Sequence, residues 1–114
     1  MKSVRLLRIE DELVREVTAI IRRLRDPRIG MVTVTGAAIT GDLRQAKIFV
    51  SVLGNDSEKK STFIALERAE SFVRREVGRA IRLKVVPEIK FHCDSSAEEG
   101  EHIDSLLKGL HDDT

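Results

Sequence analysis

Tryptophan and tyrosine are absent from this 114-residue chain, and its four phenylalanines, Phe49, Phe63, Phe72 and Phe91, are scattered. Nucleic-acid readers that stack bases on an aromatic sheet face need several rings together, so base stacking is not the main mode to expect. Phe49, between Lys47 and Ser51, is the one ring with an outward position to offer. A single cysteine, Cys93, excludes an internal disulfide and a cysteine-rich zinc site, and suits a reducing compartment. Two prolines and seven glycines are too few for a low-complexity chain, and no glycine falls in a phosphate-loop or dinucleotide pattern. No run approaches the ~20 apolar residues that span a bilayer. The first residues carry charge every two or three positions and offer no secretory apolar stretch. With 41% hydrophobic and 34% charged residues, the expectation is one soluble, cytoplasmic domain with a real core and a densely charged surface.

Catalytic machinery is equally sparse. His92 and Cys93 are adjacent, and neighbours on a strand point to opposite faces, so they form no dyad. Cys93 reads as buried packing. His102 and His111 lie among Glu98, Glu99 and Glu101 in a stretch that reads as a solvated helical face, not a metal site. No nucleophile, base or ligand cluster gathers elsewhere. The expectation is a protein that is not an enzyme and uses no cofactor or metal.

What is abundant is charge, and it is unevenly distributed. The formal net charge is only +1. Between Arg22 and Lys84, however, 14 basic residues face 7 acidic ones, and residues 95–114 hold six acids against one lysine. A basic body with an acidic tail suits a polyanionic partner, although mixed charge also solubilises a small domain.

Hydrophobic spacing predicts the elements. Leu6, Ile9, Leu13, Val17, Ile20, Ile21 and Leu24 form one helical stripe, stopped by Asp26-Pro27. Residues 31–40 are β-branched and 43–53 alternate, with Ala46, Ile48, Val50 and Val52 on one face; Gly41-Asp42 supplies the hairpin turn. After a loop at 54–57, a second helix is predicted over about 60–83, its apolar side formed by Ala65, Ala69, Phe72, Val73, Val77 and Ala80. A third strand over 85–93 places Val85, Pro87, Ile89 and Phe91 on one face. A short amphipathic helix with Ile103, Leu106, Leu107 and Leu110 closes the order. Three strands with one face to bury and two long striped helices predict an α+β two-layer domain. The helices share one face of a three-stranded mixed sheet, with the second and third strands parallel. Residues 1–94 form the domain and 95–114 an acidic helix and tail.

The arginines point to phosphate. If 62–83 is one unbroken helix, Arg68, Arg75, Arg79 and Arg82 share a stripe beside the apolar face, Arg74 stands apart, and Lys84 continues the charge. Guanidinium binds phosphate bidentately, which favours Arg on such a surface. Glu67, Glu70 and Glu76 also screen this stripe. Arg22, Arg23, Arg25 and Arg28 cluster at the end of the first helix, more than its dipole requires. Arg44 and Lys47 on the second strand belong to one patch or the other. The chemistry implied is salt-dependent binding to RNA backbone with little base readout. A module using a sheet edge or the acidic helix to bind protein is the alternative.

The order of several short motifs resembles a known family, ribosome-binding factor A. The most specific stretch is Asp26-Pro27-Arg28-Ile29-Gly30 followed by Val32-Thr33-Val34-Thr35. Asp42-Leu43, Ala46-Lys47, Ser51-Val52-Leu53, Phe72-Val73-Arg74, Pro87-Glu88-Ile89, Asp94-Ser95, Gly100 and Ile103 continue it. The resemblance implies a type II KH-like fold with an Ala-x-Gly interruption in the second helix. Here those residues are Ala69, Glu70 and Ser71, with serine in place of glycine. An interruption there would rotate Arg68 away from the other arginines; an unbroken helix would keep them together. The resemblance also implies binding to 16S rRNA of the immature 30S subunit, support of late maturation and rRNA processing, and a part in growth in the cold. Assembly GTPases as partners and a monomeric state belong to the same set of expectations. A KH-like module for another RNA is the second reading within this class.

Overall fold

Helix α1 (Val4–Leu24) forms where the apolar stripe predicts it, in a computed structural model that describes residues 2–94. The Ser3 side chain accepts the Leu6 amide and caps its start. Ile9, Leu13, Val17, Ile20 and Ile21 face inward. Arg25 ends it in the left-handed region (φ 51°, ψ 36°), just before Asp26-Pro27.

Strands β1 (Val32–Ile39) and β2 (Gln45–Val52) pair antiparallel, with a bulge between Val34 and Gly36. Their turn does not rely on its glycine. Leu43 takes the positive φ (64°), while Asp42 Oδ1 accepts from the Thr40 hydroxyl at 2.7 Å and the Arg44 amide at 3.0 Å. Leu43 packs against the core, which offsets part of the cost of that conformation.

The second helix departs from its expected ends and carries the interruption that the resemblance implies. It starts earlier, as α2 (Asp56–Arg68), because Asn55 and Glu58 form a reciprocal capping box. It breaks at Ala69 (φ −88°, ψ −3°) and resumes as α3 (Glu70–Ala80). Ile81 is already extended, so the helix ends three residues short of Leu83. Strand β3 (Glu88–Cys93) begins after Pro87, where a missing amide hydrogen costs the ladder nothing. Val85, expected on the inner face of that strand, precedes it and is 40% exposed. β3 runs parallel to β2, from Gln45↔Glu88 to Val50↔Cys93, giving the order β1-β2-β3.

One core joins the helices to one sheet face. Ala46, Ile48, Val50 and Val52 of β2 are buried with Ile89 and Phe91 of β3 and Leu66, Val73 and Val77 of the second helix pair. Besides Val85, three residues expected inside are exposed: Ala80, Phe72 and Cys93. Phe72 is 36% exposed, since α3 presents Val73 and Val77 inward and leaves Phe72 under the Arg75 guanidinium, 5.6 Å from the ring centroid. Cys93 is exposed as the last residue of an edge strand, where the inward alternation of Ile89 and Phe91 no longer meets helical cover.

Both sheet edges meet a carboxylate. Glu10 of α1, itself buried, accepts the Ile39 amide of β1 at 2.9 Å and pairs with Lys2. Glu70 of α3 accepts the Phe91 amide of β3 at 3.0 Å. The expected acidic helix and tail over 95–114, with His102 and His111, lie outside the described residues. Among those described, no helix is long and apolar enough to cross a membrane.

Replacing Val50 with Asp should cost about 4 kcal/mol or more, a large share of a small domain's stability, by putting a carboxylate where exposure is 0%. Phe72→Asp should leave the fold intact, losing about 1 kcal/mol with its cation–π contact. Thermal melts followed by circular dichroism separate the two; a Phe72→Asp variant that fails to fold would return Phe72 to the core.

Candidate nucleic-acid interface

The side chains predicted to bind RNA are all exposed, but the fold sorts them into separate groups. The single arginine stripe does not form. Arg68 ends α2, Arg75 and Arg79 belong to α3 beyond the break, and Arg82 and Lys84 follow in the loop to β3. The break at Ala69 and the early end at Ala80 are the two reasons.

The first group joins the end of α1 to α3. Glu76 Oε1 accepts from Arg23 Nη2 at 3.4 Å, and Glu76 Oε2 accepts from Arg79 Nη1 at 3.1 Å. The shared carboxylate is only 17% exposed, while Arg23 and Arg79 are 57% and 72% exposed. Glu76 therefore anchors one end of two guanidiniums and leaves their other donors to solvent. Arg75 adds a third, braced on Phe72. Arg22 in the last turn of α1 and Arg25 at its cap are exposed beside Arg23 along the chain.

Arg28 belongs with Arg68: the two line one cleft on the outer side of α2. Asp26 accepts three hydrogen bonds from Arg28, from its amide at 2.9 Å, Nε at 3.0 Å and Nη2 at 2.7 Å. The side-chain bonds from Arg28, followed by the one from its amide, hold the Asp26 carboxyl down from 3.8 to about 2.

Arg44 and Arg74 line a third cleft where β2 and β3 begin. Arg74 also serves the fold, donating from Nε and Nη2 to the Val86 carbonyl at 3.3 and 3.0 Å and so fixing the loop before β3. Lys47 stands on the open sheet face in register with Lys90 of β3. Phe49 and His92 neighbour each other on that face, ring centroids 5.9 Å apart.

Comparison with known proteins places this arrangement. A model of the family "Ribosome-binding factor A" matches residues 5–107. This chain belongs to the ribosome-binding factor A family. A Thermotoga maritima protein assigned to ribosome-binding factor A, solved in solution, is similar at 34% identity and a TM-score of 0.71, over 81% of this chain and 89% of that one. The crystal structure of ribosome-binding factor A from Thermus thermophilus shares the fold, with 24% identity, a TM-score of 0.70 and coverage of 77% and 94%. A Thermus thermophilus ribosome-binding factor A homology model, fitted into a cryo-EM map of a 30S complex, shares it at 23% identity and a TM-score of 0.65, covering 76% and 92%.

Ser71 stands where the resemblance implies glycine, and the helix is interrupted all the same. None of Ala69, Glu70 and Ser71 has positive φ, so the break needs no glycine. Glu70 supplies what holds it. The sequence marks Glu76 only as a screening charge and Glu70 as that and as part of the interruption, and it does not single out Lys60 in the Arg28–Arg68 cleft. Lys60 lies about two turns before Arg68 on the helix that the spacing predicts, and what no local pattern contains is the loop carrying Arg28 that Thr62 holds against it.

Ser71→Gly should destabilise by about 0.5 kcal/mol, the helix-propensity difference, which chemical denaturation measures. Stabilisation would mean that glycine is preferred at the break. Asp26 should titrate near 2 by carbon-detected NMR. Because its folded value is depressed, its contribution to stability is present above 3.8 and is lost as pH falls from 3.8 toward 2. A midpoint at 3.8 would mean that the Arg28 pair does not persist in solution.

Proposed function

We propose that this chain is a non-enzymatic assembly factor that binds 16S rRNA of the immature 30S subunit through its cationic surface and supports late maturation and processing of that RNA. The observation that carries the reading is the anchoring of exposed guanidiniums by carboxylates set behind them: Glu76 for Arg23 and Arg79, Asp26 for Arg28. Arginine held at one end keeps its outward donors for phosphate and loses less side-chain entropy on binding. Membership of a family named for ribosome binding supports the partner, as does the 30S complex of the Thermus thermophilus relative. Carboxylates on the Ile39 and Phe91 amides discourage edge-to-edge pairing and support a monomer. A cytoplasmic site of action, assembly GTPases as partners and a greater need for the factor in the cold belong to this same proposal.

Replacing Arg75, Arg79 and Arg82 together with Glu should weaken binding to 30S precursors and flatten the dependence of log affinity on log salt by about 2–3, the share of three phosphate contacts. The fold should persist with a somewhat lower melting temperature, since all three are exposed but Arg79 pairs with Glu76 and Arg75 rests on Phe72. Filter binding across a salt series reads both. In cell extract, the wild-type chain should sediment with small subunits and not with whole ribosomes. Wild-type affinity that ignores salt would rule out phosphate recognition.

A further inference from the structure

We propose that the trough between loop 25–31 and the outer face of α2 is a second anion site, separate from the α3 arginines, which takes successive phosphates of an unpaired RNA strand on Arg28, Lys60 and Arg68. This deepens the RNA-binding reading and rests on it. Ser57, Lys60, Ser61, Ile64 and Arg68 recur at intervals of three and four, so they share one stripe of α2; Thr62 and Leu66 on the other side are buried. From Ser57 to Arg68 the stripe runs about 16 Å at 1.5 Å per residue. Arg28 lines it from the loop, and the open cleft between them holds about 310 Å³.

The site is built, not a chance meeting of surface chains. Thr62, 2% exposed, staples the loop to the helix: its hydroxyl donates to the Arg28 carbonyl at 3.2 Å and accepts the Gly30 amide at 3.1 Å. A Cβ at Gly30 would stand 3.4 Å from that hydroxyl, so the loop lies close. Asp26 fixes the Arg28 guanidinium plane through Nε and Nη2, leaving Nη1 and one hydrogen of Nη2 for a ligand. Two of the nearby carboxylates are engaged, Asp26 with Arg28 and Glu58 with the Asn55 amide at 2.8 Å, while exposed Asp56 and Glu67 offset part of the trough's positive charge. Lys60 and Arg68 are exposed and, among the described residues, take no part in side-chain hydrogen bonds or ion pairs, and Ser57 and Ser61 lie on the same stripe. Exposed Ile64 gives an apolar floor for sugar.

A lone phosphate fits poorly, because Lys60 and Arg68 are about 12 Å apart along the axis and one anion does not span the trough. A strand does. Three cations in one row match one backbone, and a groove that tracks a single backbone is how unpaired strands are held.

The test uses the full chain with Lys60→Glu and Arg68→Glu combined, titrated with a single-stranded oligouridylate of a dozen nucleotides and a duplex of equal length. The expected result is at least a tenfold loss of single-strand affinity and a salt slope lower by about 1.4, two contacts at about 0.7 each. Duplex binding should change less. NMR amide shifts over 57–68 should saturate with the oligonucleotide and not with inorganic phosphate at equal phosphate concentration. Unchanged affinity in this variant, with loss in the Arg75/Arg79/Arg82 variant, would overturn the trough and leave RNA binding standing. Loss in neither would overturn both. Saturation by inorganic phosphate with no preference for the strand would overturn the strand assignment.

Discussion

Glu70, the first residue of α3, gives its carboxylate to the outer edge of the sheet: Oε2 accepts the Phe91 amide at 3.0 Å, and Oε1 lies 3.8 Å from Lys90 Nζ. Glu88 and Asp94 donate their amides inward, to Arg44 and Val50 carbonyls, so the alternate amide at Phe91 faces away from β2 and would otherwise be left to solvent or to another chain. A charged acceptor makes this a stronger bond than a neutral one. Its position matters more than its strength. The bond pins the residue next to the helix break onto β3, so the place where α2 ends and α3 begins is fixed relative to the sheet.

From that point the surface follows. Arg68 is left at the end of α2, facing the loop that carries Arg28, while Arg75 and Arg79 go with α3 toward the end of α1 and meet Arg23 through Glu76. A straight helix would give one linear stripe of like charges. The broken one gives two groups, each with a partly shielded carboxylate behind it, which lowers repulsion within a group and leaves the outer donors available.

Most of the fold was legible because it rests on periodicity. The α1 stripe, the alternation of β2 and the single connection requiring a parallel β3 all follow from apolar spacing, and the residues that carry them are buried where expected. The misreadings share one origin. Phe72 in the core, and Arg68 and Arg82 on one stripe with Arg75 and Arg79, both follow from extending one helical phase across Ala69 and beyond Ala80, whereas the interruption implied by the resemblance separates Arg68 from the others. Neither end has a strong local signal: Ala69 is a good helix former, and Ser71 lacks the flexibility of glycine. The break is stabilised by a partner twenty-one residues away on another strand, which no local pattern contains. Cys93 was misplaced for a related reason, since alternation predicts a face but not where its cover stops. The structural bond of Arg74 to the Val86 carbonyl was not legible, because that carbonyl lies in a loop of no regular pattern.

The parallel pairing of β2 with β3 also sets the order in which a growing polypeptide becomes complete. Between Val52 and Glu88 the whole α2–α3 crossover must leave the exit tunnel, at about 5–20 residues per second, before the middle strand finds its second neighbour. For those few seconds the hairpin is half a sheet, with the backbone groups of β2 open to whatever is nearby and Glu70 already translated ahead of the amide it will hold. Synthesis of this small protein thus passes through a vulnerable interval that ends only when its last strand docks.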